Sequence, residues 1–213
     1  ALARGVDGAD SWATDLHKML NVPYESALVA VRDGRALHGS MASAAPYLPA
    51  AGSDAALLPE LQNSRRARGV AAWAALQQLG ADGVAGLVDA CCDHAARLAS
   101  LLQRGGAGIV APVVFNQALV RFRNDDVTAA VAAAAQRDGR CWVAATQYQG
   151  RTVIRLSVSC WKTTDGDVEA AARAILACNK ELEPPIFEGR GGSPDPEVIA
   201  FIEGGPPPPP TEA

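Results

Sequence analysis

The chain has 213 residues, is 49% hydrophobic and 20% charged, and carries a net charge of −4. That balance fits a soluble globular protein of one or two domains, and nothing in it suggests nucleic-acid binding. No apolar run approaches the ~18–20 residues of a membrane span. Ala1-Leu2-Ala3-Arg4 has no initiator Met and no signal or transit pattern, so the chain is expected to begin within a longer protein. Cys91, Cys92, Cys141, Cys160 and Cys178 are odd in number and without Cys-x-x-Cys spacing. They read as reduced, mostly buried thiols of a cytoplasmic protein. His17, His38 and His94 stand far apart, which gives no ligand cluster for a metal.

In chain order, Asp10 to Thr14 can be extended, and Ala27 to Arg32 is an apolar, β-branched run of strand length. Between them His17-Lys18 falls in a turn, where a side chain can project from the end of a sheet; ligands of open α/β sheets bind at strand ends. A lysine in partly apolar surroundings loses basicity, and a neutral amine is a nucleophile toward aldehydes. On spacing alone, Lys18 reads rather as one of many basic residues on a solvated turn. Residues 33–63, rich in Gly and Pro, read as a long irregular connection or a functional loop.

Ser64 is an N-cap candidate for a helix opening with Arg65, Arg66 and Arg68 and ending at Gly80. Three arginines in a first turn oppose the helix dipole and call for an acidic or anionic partner. Asp82 to Gln103 reads as a longer amphipathic helix stopped by Gly105-Gly106. From there the pattern is β-α-β-β-α. Gln117 to Phe122 is a strand, and Asp125 or Asp126 caps a helix over 126–137 closed by Gly139. Cys141 to Gln147 is a strand, Gln149-Gly150 a turn, and Thr152 to Ser159 an alternating strand. Asp165 caps a last helix over 167–178. This is an α+β unit with an antiparallel sheet covered on one face. In it Arg155 points away from Ile154, Leu156 and Val158, onto the other sheet face. There an arginine either binds a carboxylate or is simply exposed. Residues 181–213, with their Pro and Gly runs, read as a disordered tail.

The segment Asp10-Ser11, Asp15-Leu16-His17-Lys18-Met19-Leu20, Val22-Pro23-Tyr24-Glu25 resembles the cofactor-lysine segment of the pyridoxal-phosphate-dependent group II amino acid decarboxylases. Leu16 departs from it, since Pro or Gly is more usual there. The resemblance continues through Ser64-Arg65-Arg66-Ala67-Arg68-Gly69 and through the stretch from Cys141 to Val168. It implies an α/β and α+β chain: the C-terminal part of a fold-type I (aspartate aminotransferase-like) enzyme, with an incomplete large domain and a small α+β domain. Residues 1–63 would end the large cofactor domain, 64–106 connect, and 107–180 form the small domain.

The implied cofactor is pyridoxal 5'-phosphate, and the implied reaction is decarboxylation of an L-amino acid to an amine and CO2. Lys18 would be the Schiff-base residue, with His17 and Asp15 beside the cofactor phosphate. An ionised Asp15 would repel a dianionic phosphate, so its contact is expected to be indirect or through backbone. Tyr47 matches the mobile-loop tyrosine that helps protonate the substrate carbon, and Arg155 the arginine proposed to hold the substrate carboxylate. The same resemblance implies a homodimer. It also implies that the ring-stacking His, the Asp paired with the pyridine nitrogen and most of the phosphate cradle come from polypeptide preceding Ala1. Two other readings stay open: an aldehyde synthase, aminotransferase or lyase of the same fold, and a non-catalytic truncated module.

Overall fold

The computed structural model describes residues 3–41 and 65–182. The chain divides into two units, Ala1–Gly80 and Ala81–Ala213, described in turn.

In the first unit a short 3-10 turn, Val6–Gly8, leads into β1 (Ser11–Asp15), which pairs antiparallel with β2 (Ala27–Val31). The register sets Ser11 opposite Val31 and Asp15 opposite Ala27, and Arg32 N–H donates to the Asp10 carbonyl at 2.8 Å to extend the ladder. Both strands lie within a residue of the sequence expectation. Trp12, Leu28 and Val29 are exposed.

The expected irregular segment begins differently, with a helix, α1 (Gly34–Met41). Asp33 explains it: its Oδ1 accepts from the backbone N–H of Arg35 at 2.9 Å and of Ala36 at 3.2 Å. This cap satisfies N–H groups that a helix start leaves unpaired, which offsets part of the helix cost of Gly34 and Gly39. The remainder of that segment with Tyr47, the cap candidate Ser64 and the C-terminal tail lie outside the described residues.

The next helix, α2 (Arg68–Arg104), joins the two expected helical stretches with a break at Gly80 (φ 63, ψ −174). That backbone conformation is open to glycine and strained for other residues.

The second unit is a four-stranded antiparallel sheet in the order β3 (Gly108–Ile109), β4 (Gln117–Arg121), β6 (Arg151–Ser157), β5 (Ala144–Tyr148). It is completed by α3 (Asp125–Asp138) and α4 (Asp165–Leu182). The order β-α-β-β-α matches expectation, with the two-residue β3 added. Alternation along the strands sends Ala118, Val120, Ile154 and Leu156 to one face. There they pack with Leu98, Leu101 and Leu102 of α2, Val131 and Ala135 of α3, and Val168, Ile175 and Leu176 of α4. Gln149 (φ 49) and Gly150 (φ 73) form the β5–β6 turn, both in the left-handed conformation that two-residue hairpin turns favour.

The helix caps differ from expectation. Asn124, not Asp125 or Asp126, caps α3, its side chain accepting from Val127 N–H at 2.9 Å. Thr164 precedes α4, its hydroxyl accepting from Asp167 N–H at 3.3 Å. The Asp167 carboxylate in return accepts from Thr164 N–H at 2.9 Å and from its hydroxyl at 2.7 Å. This reciprocal arrangement is a capping box built with aspartate. Cys91 and Cys178 are buried, Cys92 and Cys141 half-buried and Cys160 exposed; all five are free thiols. Among the described residues no helix is long and apolar enough to cross a membrane, and no group of three His, Cys, Asp or Glu side chains is placed to hold a metal.

Candidate functional site

The segment between β1 and β2 closes on itself. The Ser26 carbonyl accepts from Leu16 N–H at 3.0 Å and His17 N–H at 3.2 Å, and Lys18 O accepts from Asn21 N–H at 3.1 Å. Asn21 takes a left-handed conformation (φ 56), which asparagine tolerates better than most residues. Its side-chain amide donates to the carbonyls of Lys18 and Met19. Val22 and Ser26 are buried beneath the turn. Lys18 is thus held by its backbone while its side chain projects outward.

Lys18 Nζ pairs with Asp15 Oδ2 at 2.6 Å. The hydrogen bond from Lys18 holds the Asp15 carboxyl below its ordinary range, with the charges of Lys18 and His17 adding to the effect and burial opposing it. As spacing alone had it, the lysine is solvated and not in apolar surroundings: its side chain is 66% exposed and its partner is a carboxylate. The negative charge of Asp15, expected to trouble an anionic ligand, is matched within the turn.

His17 is fixed on two sides. Its Nδ1 lies 2.7 Å from the Ser26 carbonyl oxygen and 3.2 Å from the Ser26 nitrogen. One nitrogen cannot donate and accept at once, and the shorter contact requires an Nδ1–H donating to the carbonyl. The Tyr24 ring lies 4.2 Å from the imidazole, tilted by 31°.

Arg66, just before α2, and Arg68, its first residue, also act here. Arg66 Nη2 donates to the Tyr24 carbonyl at 3.1 Å, and Arg68 Nη2 reaches Glu25 Oε2 at 2.8 Å. The helix begins at Arg68, so the three arginines do not share its first turn as expected, and Glu25 pairs with Arg68. Sequence reasoning had Tyr24 and Glu25 only as letters of a pattern and missed Ser26 and Asn21. The Asn-Val-Pro string after the lysine was the available sign of a special turn.

The structure therefore brings Asp15, His17 and Lys18 together on one turn. Arg155 belongs to the second unit. It is exposed on β6 between Ile154 and Leu156, both in the core, with Leu119 and Ala144 as its cross-strand neighbours. It stands on the sheet face away from the helices, as alternation required.

A family model described as the pyridoxal-dependent decarboxylase conserved domain matches residues 1–124. No curated protein matches the chain. Solved structures do. The Oryza sativa TDC, solved with PLP and tryptamine, is similar with a TM-score of 0.76 at 22% identity, over 84% of this chain and 40% of that one. The Rhodiola rosea 4-hydroxyphenylacetaldehyde synthase has a TM-score of 0.73 at 18% identity, over 84% of this chain and 39% of that one. The Catharanthus roseus tryptophan decarboxylase, in complex with L-tryptophan, has a TM-score of 0.73 at 17% identity over the same shares. At these identities the likeness is one of fold, and the mixed helix and sheet architecture is that of fold-type I enzymes. The chain spans about two fifths of the length of each.

Proposed function

The chain belongs to the pyridoxal-dependent decarboxylase family, and from that premise we propose that it supplies the cofactor-lysine part of an enzyme that converts an L-amino acid to an amine and CO2. In this reading residues 1–63 close a large cofactor domain, 64–106 connect and 107–180 form the small domain, within a longer cytoplasmic homodimeric protein. The observation that carries it is the turn in which Asp15, His17 and Lys18 share one short, hydrogen-bonded loop.

The residues present fit a pyridoxal phosphate group. A primary amine projects from a backbone-fixed turn within reach of solvent, and covalent capture of an aldehyde needs such an amine after it has given up its proton. Lys18 would attach the cofactor through Nζ, with His17 and Asp15 beside its phosphate. When bound, the cofactor ring supplies an electron sink for the charge left at the substrate Cα as CO2 departs. Arg155, a fixed cation on a rigid strand, would orient the substrate carboxylate. Tyr47 Oη would deliver a proton to the substrate Cα, a role that requires a positioned O–H. Asp15 would orient Lys18 Nζ through their ion pair.

A second reaction is favoured by one observation: a 4-hydroxyphenylacetaldehyde synthase is similar in fold to the same degree as a tryptophan decarboxylase. The tyrosine at position 47 sides with simple decarboxylation, because the resemblance associates phenylalanine there with oxidative deamination to an aldehyde.

The test is reductive trapping. The chain is incubated with stoichiometric pyridoxal phosphate and reduced with borohydride, and the pyridoxyl group is located by peptide mass spectrometry. Labelling concentrated on Lys18 and lost in Lys18→Ala supports the reading; labelling scattered over lysines and unchanged in the variant refutes a cofactor site on this chain. For the enzyme carrying this segment, release of amine and CO2 rather than aldehyde and ammonia decides between the two reactions.

A further inference from the structure

Lys18 is bracketed by two fixed peptide groups. Before it, His17 N–H donates to the Ser26 carbonyl at 3.2 Å; after it, the Lys18 carbonyl accepts from Asn21 N–H at 3.1 Å. The Asn21 side chain reinforces the second of these. Its Nδ2 donates to the same Lys18 carbonyl at 2.5 Å and to the Met19 carbonyl at 3.1 Å. A primary amide has two N–H donors, and two successive carbonyls of the lysine turn receive them. These bonds fix the peptide planes that follow Lys18. With the His17 N–H fixed on the other side, they set the direction in which the Lys18 Cα–Cβ bond leaves the turn.

The residue type suits the task. At φ 56 the Asn21 backbone is left-handed, a region that costs most L-residues energy and that asparagine enters readily. Glycine would take this backbone without supplying a donor. Aspartate would set a charged acceptor against two carbonyl oxygens. Asparagine joins a tolerated backbone to a short, two-donor amide. The turn is then closed by Val22 N–H donating to the Leu16 carbonyl at 3.4 Å, with Val22 buried beneath it. A long, solvated side chain samples many rotamers, so the place of Lys18 Nζ depends on where its Cα is held. Asp15 Oδ2, 2.6 Å from Nζ, gives the amine a second fixed reference.

We propose that Asn21 is a positioning residue of the lysine turn: by holding the Lys18 and Met19 carbonyls it fixes Lys18 relative to His17, and so selects Lys18 for an aldehyde that also carries a phosphate. The inference rests on the cofactor-lysine reading above. In the capture step Nζ gives its proton to solvent and attacks the aldehyde carbon; the C–N bond forms and the aldehyde oxygen leaves as water. A phosphate-bearing aldehyde must bring its carbon to Nζ while its anion lies beside His17, so it reads the spacing of the two residues. Formaldehyde, with no second group, reads only the amine. When the turn leaves its competent shape, the apparent affinity for the larger aldehyde falls by the fraction of chains that have left it.

The experiment compares two aldehydes on the full chain and on Asn21→Gly, which keeps the left-handed backbone and removes the amide. Each is labelled with pyridoxal phosphate below saturation and borohydride, and separately with formaldehyde and cyanoborohydride. Peptide mass spectrometry gives labelling at Lys18 relative to Lys162, an exposed lysine of the second unit that serves as internal reference. The expected result is a roughly three- to tenfold fall in the Lys18 preference for pyridoxal phosphate in Asn21→Gly, the size of one or two net hydrogen bonds. The formaldehyde ratio should stay the same. Asn21→Ala, which also loses the left-handed preference, should fall at least as far. A parent that prefers Lys18 while Asn21→Gly prefers it equally overturns this inference alone. Equal falls with both aldehydes overturn it as well, since Asn21 would then govern only access to the amine. A parent with no preference for Lys18 overturns the cofactor-lysine reading and this inference with it.

Discussion

Replacing Gly105 with alanine tests the packing of the second unit. Gly105 follows α2 with a backbone conformation open to any residue. A Cβ added there would stand 3.0 Å from Leu176 Cγ and nearer still to both of its methyl carbons. Carbon atoms sit best at ~3.5–4.0 Å, so the overlap is at least about 0.5 Å, and Leu176 is only 2% exposed, inside the core. Such overpacking costs about 1–3 kcal/mol. Against it stands about 0.4–1 kcal/mol regained because alanine has fewer unfolded conformations than glycine. The net expectation is a loss of about 1–2 kcal/mol for Gly105→Ala.

Leu176→Ala alone should cost about 2–5 kcal/mol through its cavity, yet it removes the atoms the new methyl meets. The double variant should therefore be more stable than the sum of the singles by about 1–2 kcal/mol. Urea unfolding of the four proteins measures this. Strict additivity, or a Gly105→Ala chain as stable as its parent, refutes the stated contact.

Other consequences are open to test. Thr128 is fully buried; its hydroxyl accepts from Phe122 N–H at 3.1 Å and donates to the Asn124 carbonyl at 2.7 Å. Thr128→Val, similar in shape, should lose about 1–3 kcal/mol by leaving that N–H unpaired, and Thr128→Ser should lose less in the same urea assay. Burial pushes the thiols of Cys91, Cys92, Cys141 and Cys178 up. Iodoacetamide near neutral pH should therefore label exposed Cys160 first, the other four following on unfolding or at higher pH; early labelling of Cys91 or Cys178 would contradict their burial. Because the Asp15 carboxyl is held below its usual range, its pairing with Lys18 persists at neutral pH and is lost as pH falls through that lowered value. Asp15→Asn should speed reductive methylation of Lys18 about two- to fivefold at neutral pH, measured by mass spectrometry; an unchanged rate would mean the pair does not restrain the amine.

Much of this architecture was legible from side-chain periodicity. The alternation of Thr152 to Ser159 placed Ile154 and Leu156 in the core and Arg155 outside it, and Gly80, Gly105 and Gly139 marked real helix breaks. What failed depends on single side chains bonding to nearby backbone. Asp33 turned a Gly-containing stretch into α1, while Asn124 and Thr164 took caps that neighbouring aspartates could have filled equally well. The short β3 carries too few residues for a period to show. At the candidate site the lysine stood out through the surrounding string. Its carboxylate partner three residues earlier and the Ser26 carbonyl beneath it depend on how the turn coils back, which no periodicity encodes.

The lysine turn also has a consequence in time. Asp15, His17, Lys18, Asn21, Tyr24 and Ser26 contact one another across no more than nine residues of chain, whereas Arg66 and Arg68 return from 42 and 43 residues downstream. Hairpins close in about 1–10 μs, and contacts across long loops wait on slower chain diffusion. Sequence separation alone therefore favours the Lys18–Asp15 contact over those of Arg66 and Arg68 as an early one. The Lys18 amine then has a countercharge beside it while more distant contacts are still to form.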